Sequence, residues 1–312
     1  MKKVDLSFVI PVKNEEKSVI QLALEIAFVC KEIRKRYEII FVDDGSTDST
    51  YANIKKLSRK NKNIHCFRLR GWFGKAVGLS VGFAKANGKI IFTMDGDLQD
   101  NPSEIPNFLK KLDEGYDLVS GWKKVRHDPI TKTLPSRVIN FTLRILTGLN
   151  LHDINCGFKA YRAEVVKDLN IYGDLYRFIP VLAQRKGFKI GEIVVKHRQR
   201  IFGKSKYGFK RFISGFLDLL TVFFLVRYLK RPGHFFGTFG IIFLSAGFVI
   251  GLYITYLRIT TGGIAYRYPL LFFGVLLIIL GVQFVMTGLL AEMIIFFQKK
   301  ESHEDFIKES TK

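Results

Sequence analysis

The residues with the most chemistry in this chain run Thr93, Met94, Asp95, Gly96, Asp97, Leu98, Gln99, Asp100, an apolar strand-like stretch ending in two carboxylates one glycine apart. Carboxylates packed this closely repel, and a divalent cation relieves the repulsion. Asp95, Asp97 and Gln99 would give oxygen ligands to Mg2+ or Mn2+, with substrate phosphates completing the sphere. Gly96 permits the tight turn that aims both carboxylates at one point. A D-x-D on its own is also what a solvated Asp-Gly turn looks like, so the context has to decide.

Two more acidic turns precede it. Pro11, Val12, Lys13, Asn14 and Glu15 follow one apolar run, and Val42, Asp43, Asp44, Gly45, Ser46, Thr47 and Asp48 close the next. Arg70-Gly71-Trp72-Phe73-Gly74-Lys75 has the look of a phosphate loop, but two residues rather than four separate its glycines and Ala76 follows the lysine, so a Walker loop is excluded. Cys30, Cys66 and Cys156 are odd in number and widely spaced, as expected of ordinary thiols in a reducing compartment. His65, His127, His152, His197 and His234 lack the spacing of metal ligands and read as structural or surface residues.

The elements that must position these residues alternate through the first half of the chain. Strand-like runs at 6–12, 38–42, 64–69 and 90–94 are separated by amphipathic stretches at 19–36 and up to about 60, which predicts a parallel sheet with helical crossovers. Ligands of such sheets bind beyond the carboxyl ends of the strands, where Asn14, Glu15, Asp43, Asp44 and Asp95 all fall. After 117–121 the rhythm breaks into a basic, proline-containing stretch with Arg126 and Arg137, then a helix through about 147, strands at 158–161 and 190–196, and a helix near 176–185.

The C-terminal third is of another kind. Residues 235–257 and 268–291 carry no charge, and each run matches the roughly 20 apolar residues that cross a bilayer. No signal peptide is expected ahead of them: after Lys2 and Lys3 the first apolar stretch is too short. Lys204, Lys206, Lys210, Arg211, Arg227, Lys230 and Arg231 precede the first run and Lys299 and Lys300 follow the second, whereas the connecting loop holds only Arg258 and Arg267. Basic residues stay on the cytoplasmic side, so both termini and the N-terminal domain are expected there. The formal charge of +21 could point to nucleic acid, but a chain with two spans has a nearer polyanion in its own leaflet. Membrane lipids, and not nucleic acid, are the expected partner. Residues 209–231 mix Lys and Arg with Phe, Leu and Val in an amphipathic pattern suited to the headgroup plane.

Taken together, the motifs at 11–15, 43–48 and 95–97 resemble those of the family 2 glycosyltransferases of GT-A fold. The segments at 70–75, 98–106, 153–159 and 197–206 are similar to the branch of that family that glycosylates polyisoprenyl phosphate (dolichol or undecaprenyl phosphate). Trp72 departs from the asparagine usual in that branch, which puts one contact in doubt.

The resemblance implies an α/β, GT-A mixed-sheet domain over residues 1–208, an amphipathic interfacial helix at 209–231, two transmembrane helices within 232–298 (about 235–257 and 268–297) and a cytoplasmic tail at 299–312. It implies inverting transfer of a hexose from a nucleotide-diphosphate sugar to polyisoprenyl phosphate, with Asp95, Asp97 and Asp153 as catalytic residues. Pro11, Lys13, Asn14, Glu15, Asp43, Asp44, Gly74, Lys75 and Gly96 would bind the nucleotide sugar. Arg126, Arg137, Arg198, Arg200, Lys204 and Ser205 would bind the acceptor's phosphate, a task suited to guanidinium forks. UDP-glucose is the first donor expected; GDP-mannose and a UDP-aminopentose stay open, as does Asp153 as a base or a sugar contact. The resemblance also allows a homotetramer. A processive polysaccharide synthase is disfavoured, because its Gln-x-x-Arg-Trp motif and further spans are missing. A non-catalytic, nucleotide-binding membrane scaffold is the rival of another class.

Overall fold

The computed structural model describes residues 4–124, 144, 148–167, 169, 173–198, 232–264 and 266–298. Internal contacts divide the chain into two units, Met1–Val226 and Arg227–Lys312.

The first unit is a seven-stranded sheet: β1 (Leu6–Val12), β2 (Tyr37–Asp43), β3 (Ile64–Arg68), β4 (Ile90–Thr93), β5 (Leu118–Trp122), β6 (Lys159–Arg162) and β7 (Ile190–Val194), in the order β3-β2-β1-β4-β6-β5-β7. Its helices are α1 (Val19–Glu32), α2 (Thr50–Lys60), α3 (Lys75–Lys85), α4 (Ile105–Asp113), α5 (Ala163–Lys167) and α6 (Ile179–Arg185), with 3-10 turns at Pro102–Glu104 and Gly173–Phe178. Strand residues alternate between two cores. Leu6, Phe8 and Ile10 pack with α1, α2 and α4, while Val9, Ile91 and Tyr161 pack with α3, α5 and α6. Phe8 stacks on Phe92 at 5.1 Å, and Phe92 meets Phe108 edge-on at 5.8 Å.

The all-parallel sheet expected from the alternation is corrected at β6, which runs antiparallel to both β4 and β5. The mixed sheet implied by the family resemblance is the one observed. The remaining pairings are parallel, so β1, β2, β3, β4, β5 and β7 end at one rim, and β6 begins there. The segment leading into β6 is thereby a wall of that rim. The helix expected at 19–36 stops at Glu32, because Arg34 takes a left-handed backbone (φ 53°) and Lys35 donates its N–H back to the Cys30 carbonyl. Helices α3 and α4 had no counterpart in the hydropathy pattern. Cys30 and Cys156 are buried, and burial pushes their thiols up to about 12, in keeping with inert residues.

The second unit contains α7 (Pro232–Thr261) and α8 (Tyr268–Gln298), both long and apolar enough to cross a membrane. They extend beyond the charge-free runs at most ends. At 1.5 Å per residue, 30 residues give α7 a length of about 45 Å, more than the ~30 Å hydrocarbon core. The pair is seamed by glycines seven residues apart: Gly240 faces Gly281, and Gly247 faces Gly274 so closely that a Cβ on Gly247 would lie 2.7 Å from the Gly274 carbonyl oxygen. Glu292 accepts the Gly233 N–H at 3.1 Å, which caps an otherwise unbonded donor at the start of α7. The expected interfacial helix at 209–231, the helix through 147 and the tail at 299–312 lie outside the described residues, apart from Arg144.

Candidate active site

At the β1–β2–β3 side of the rim, the acidic turns are stitched to each other. Asn14, in a left-handed backbone (φ 54°), donates its N–H to Ser46 Oγ at 2.9 Å and accepts the Thr47 N–H on Oδ1 at 2.9 Å. The Glu15 N–H donates to Thr50 Oγ1 at 2.7 Å, and the Glu16 carboxylate accepts the Ser49 N–H at 3.0 Å. Pro11 lies within β1, paired across from Val42. Asp43 is fully buried; one oxygen accepts the Ser46 N–H at 3.0 Å and the other pairs with Arg68 Nε at 3.3 Å. Asp44 accepts the N–H groups of Phe73 (2.7 Å) and Gly74 (3.0 Å), one on each oxygen. Gly74 has φ 88°, a conformation costly for any residue with a Cβ, and it starts α3 at Lys75. Between these anchor points Trp72 is 76% exposed, with the Lys13 ammonium 4.2 Å from its ring centre.

The β4 side carries the carboxylate pair. Lys75, from the start of α3, bonds and pairs with Asp95. The Asp95 N–H donates to Asp100 Oδ2 at 3.2 Å, and Asp100 Oδ1 pairs with Lys123 Nζ at 3.0 Å, so the turn is tied to the residue just after β5. Burial by itself would raise Asp95, but Lys75, Lys123 and Lys159 outweigh it and bring the carboxyl down to about 2. Burial pulls Lys75 and Lys123 down, and their acidic neighbours more than reverse it, leaving both above the usual lysine value. Gly96 sits where a Cβ would be 2.8 Å from Val12 Cγ1, so the D-x-D turn rests directly on the end of β1. Asp97 is buried, with Oδ1 accepting the Gln99 N–H at 3.1 Å; Gln99 Nε2 meets His197 Nε2 at 3.3 Å.

The oxygen-only set of Asp95, Asp97 and Gln99 fits a hard divalent cation whose remaining ligands come from a substrate. Among the described residues no three His, Cys, Asp or Glu side chains gather as a self-sufficient metal cluster.

The segment entering β6 closes the far side. A Cβ on Gly157 would lie 2.6 Å from Asp95 Oδ2, and the Gly157 carbonyl accepts Thr93 Oγ1 at 2.8 Å. Next to the Lys75–Asp95 pair lies a narrow cleft of about 20 Å³, room for about one water molecule, whose walls include Asn155, Lys159, Tyr161, Tyr176 and Arg177. Asp153 does not line it: the residue is 1% exposed, and its N–H donates to Glu192 Oε1 at 3.0 Å. The same oxygen takes the His152 N–H at 2.8 Å, while the His152 ring bonds the other Glu192 oxygen at 2.7 Å and stacks on Trp122 at 4.0 Å.

Arg198 of the expected phosphate set is turned elsewhere. Its guanidinium pairs with Glu25 and bonds Asn101 Oδ1, both at 2.8 Å. Arg126, Arg137, Arg200, Lys204 and Ser205 lie outside the described residues. Lys123, Lys159, Tyr176, Arg177 and Glu192 were not singled out from the sequence. Lys159 falls in the 153–159 segment, but no pattern marked Tyr176 or Arg177 as site residues.

Residues 7–169 match the family model described as glycosyl transferase family 2. The chain is 39% identical over 299 residues to the dodecaprenyl-phosphate galacturonate synthase of Rhizobium johnstonii, covering 94% of this chain and 88% of that one. It is 36% identical over 296 residues to the undecaprenyl-phosphate 4-deoxy-4-formamido-L-arabinose transferase of Shewanella sediminis, covering 93% and 86%. Its fold is similar to that of glucosyl-3-phosphoglycerate synthase from Mycobacterium tuberculosis, solved with Mn2+, UDP-glucose and phosphoglyceric acid: TM-score 0.56, 19% identity, 71% of this chain and 79% of that one.

Proposed function

This chain belongs to glycosyl transferase family 2, and on that premise we propose that it transfers a hexose from a nucleoside diphosphate to the phosphate of a polyisoprenyl lipid. The observation that carries the reading is the Lys75–Asp95–Asp97 cluster at a rim where the acidic turns after β1 and β2 also end. Relatives that act on dodecaprenyl and undecaprenyl phosphate, matched over more than nine-tenths of this chain, support the acceptor. The two apolar helices and the basic residues flanking them support a membrane protein with its catalytic domain and both termini in the cytoplasm. UDP-glucose stays the reference donor for assay, alongside the sugars named for the relatives, an acidic hexose and a formamido-pentose.

A lipid monophosphate is an anion near neutral pH, so it attacks the anomeric carbon without a general base. The phosphate oxygen forms the new bond to C1 as the bond from C1 to the diphosphate oxygen breaks. The electron pair leaves with the nucleoside diphosphate, and attack from the opposite face inverts the centre. Lys75 brings a cation to the leaving side, held by Asp95. Asp95, Asp97 and Gln99 would hold Mg2+ or Mn2+, whose charge, when bound, offsets that gathering on the departing diphosphate. The stitched turns give a preformed seat for the nucleoside, with Lys13, Trp72 and the Asp43–Asp44 turn along it. Asp153 is buried and its segment is clamped by Glu192, which favours support of the 152–159 wall over proton transfer.

The test is incubation of the full-length protein with polyprenyl phosphate, Mg2+ or Mn2+ and a panel of UDP- and GDP-sugars, scoring lipid-linked product. Asp97→Asn should lower product formation by about 100-fold or more. Product unchanged by that substitution would sink the metal-diphosphate site. No turnover with any donor would favour the scaffold.

A further inference from the structure

The turn that carries Asp95 and Asp97 is held under backbone strain. Leu98 is fully buried, yet its backbone is left-handed (φ 64°), a conformation uncommon for a residue with a bulky side chain. It persists only where the surroundings over-determine it. Here they do so from two directions. Beyond the turn, the Gln99 carbonyl accepts the Arg198 N–H at 2.9 Å, and Asp100 forms an antiparallel bridge with His197. Beneath it, Asp100 Oδ2 accepts the Asp95 N–H at 3.2 Å while Asp100 Oδ1 pairs with Lys123 Nζ at 3.0 Å.

Lys123 and Lys75 serve this turn differently. Lys75 meets the Asp95 carboxylate itself, where both side chains keep some exposure, 28% and 35%. The Lys123 and Asp100 side chains are 13% and 1% exposed, and they hold the backbone of Asp95 instead. Lys123 directly follows β5, two places from β4 in the sheet, so the tie fixes the turn to a distant part of the framework. Resting on the transferase reading above, we propose that Lys123 is a positioning residue of the metal-diphosphate site: acting through Asp100, it keeps the strained Asp95–Asp97 turn in the shape that a divalent cation needs before the cation arrives. Groups that orient metal ligands in this way set the affinity of the site without touching the ion.

Charge and geometry have to be separated in the test. Lys123→Met alone would leave the buried Asp100 carboxylate unpaired, and that added negative charge would draw a cation whatever the shape of the turn. The double variant Lys123→Met with Asp100→Asn removes one charge of each sign and keeps an oxygen for the Asp95 N–H, so the anchor on β5 is what is lost. Binding of Mn2+ to the full-length protein with UDP and no acceptor, read from the paramagnetic resonance of the free ion, should weaken about 10- to 100-fold in the double variant. Lys123→Arg, which keeps the pair, should stay within about threefold of the wild type. Hydrogen exchange of residues 95–100 gives a readout on the metal-free protein: the wild-type turn should be protected before Mn2+ is added, and the double variant should exchange faster there and recover with Mn2+ and UDP. In turnover, the double variant should need more Mn2+, with KM for polyprenyl phosphate changed by no more than about threefold.

Wild-type affinity for Mn2+ in the double variant would overturn the proposal. So would a change confined to KM for polyprenyl phosphate, which would assign Lys123 to the acceptor. If the double variant does not fold, exchange in the wild type decides: protection without metal supports a turn formed in advance, and protection that appears only with Mn2+ overturns it. If no donor gives lipid-linked product while Mn2+ and UDP bind as expected, the transferase reading fails and the role of Lys123 stands.

Discussion

On the β1–β2–β3 side of the rim, acidic side chains are bound into the backbone: Asp44 holds the N–H groups of Phe73 and Gly74, Asp48 those of Glu16 and Thr50, and Glu16 that of Ser49. On the β4–β6 side Lys75, Lys123 and Lys159 crowd around Asp95 and Asp100, and Lys159 also feels the charge of the buried Asp153. The first arrangement is complete before any ligand arrives, because every named bond closes within the chain. In the second, ammonium and carboxylate groups act on one another through charge. The difference teaches that carboxylates on a ligand-binding rim need not bind the ligand: one half of this rim spends its acids on shape, and the other concentrates charge.

The comparison is tested most severely at Asp44. Asp44→Ala removes the acceptor of two backbone donors in a buried turn, and should lower stability by about 3 kcal/mol. Released from that anchor, the 71–74 loop should also lose its hold on the start of α3, and transferase activity should fall by about 100-fold. Denaturant melts and initial rates on the same preparation check both. Lost activity with full stability would mean that Asp44 contacts the nucleotide, and the two halves would not differ as described.

This division was only partly legible in the sequence. The D-x-D turn could be read because it closes an apolar strand in the company of the turns at 11–15 and 43–48, and the strand-end positions of Asn14 and Asp43 followed from alternating hydropathy. What the letters could not show was which donors take the lone pairs. Asp43 and Asp44 were expected to bind the nucleotide sugar, yet Ser46, Arg68, Phe73 and Gly74 already hold their oxygens. The direction of β6 was hidden as well, since a short apolar run reads alike in either direction, and with it went the placing of Lys159 beside Asp95. Tyr176 and Arg177 were expected at the start of the helix near 176–185, but that helix starts at Ile179 and both residues sit in the 3-10 turn before it. The apolar spans needed only length and composition, so they were the easiest part to read.

A somewhat smaller effect is expected on the crowded side at Gly157. In Gly157→Ala the new Cβ would lie 2.6 Å from Asp95 Oδ2, so the carboxylate must move. Overpacking of this kind costs about 1–3 kcal/mol, and a displaced Asp95 should lower kcat about tenfold or more with the fold retained. Unchanged kinetics would mean that the position of Asp95 is not limiting.

The smallest effect is expected at Arg198, which belongs to neither half. Its N–H donates to the Gln99 carbonyl at 2.9 Å, while its guanidinium spans Glu25 on α1 and Asn101, so it braces the segment that follows the carboxylate pair. Partly exposed ion pairs contribute little, and Arg198→Ala and Glu25→Ala should each lower stability by about 1 kcal/mol or less. The double variant should lose less than their sum, because either single change already breaks the pair. Activity separates the brace from the phosphate-binding role expected of this arginine. Glu25→Gln weakens the pair but keeps the guanidinium. A brace predicts that it behaves like Arg198→Ala, with a shift of no more than about threefold in KM for polyprenyl phosphate. If Arg198→Ala raises that KM tenfold while Glu25→Gln leaves it alone or lowers it, the guanidinium leaves Glu25 to meet the phosphate, and Glu25 is its resting partner.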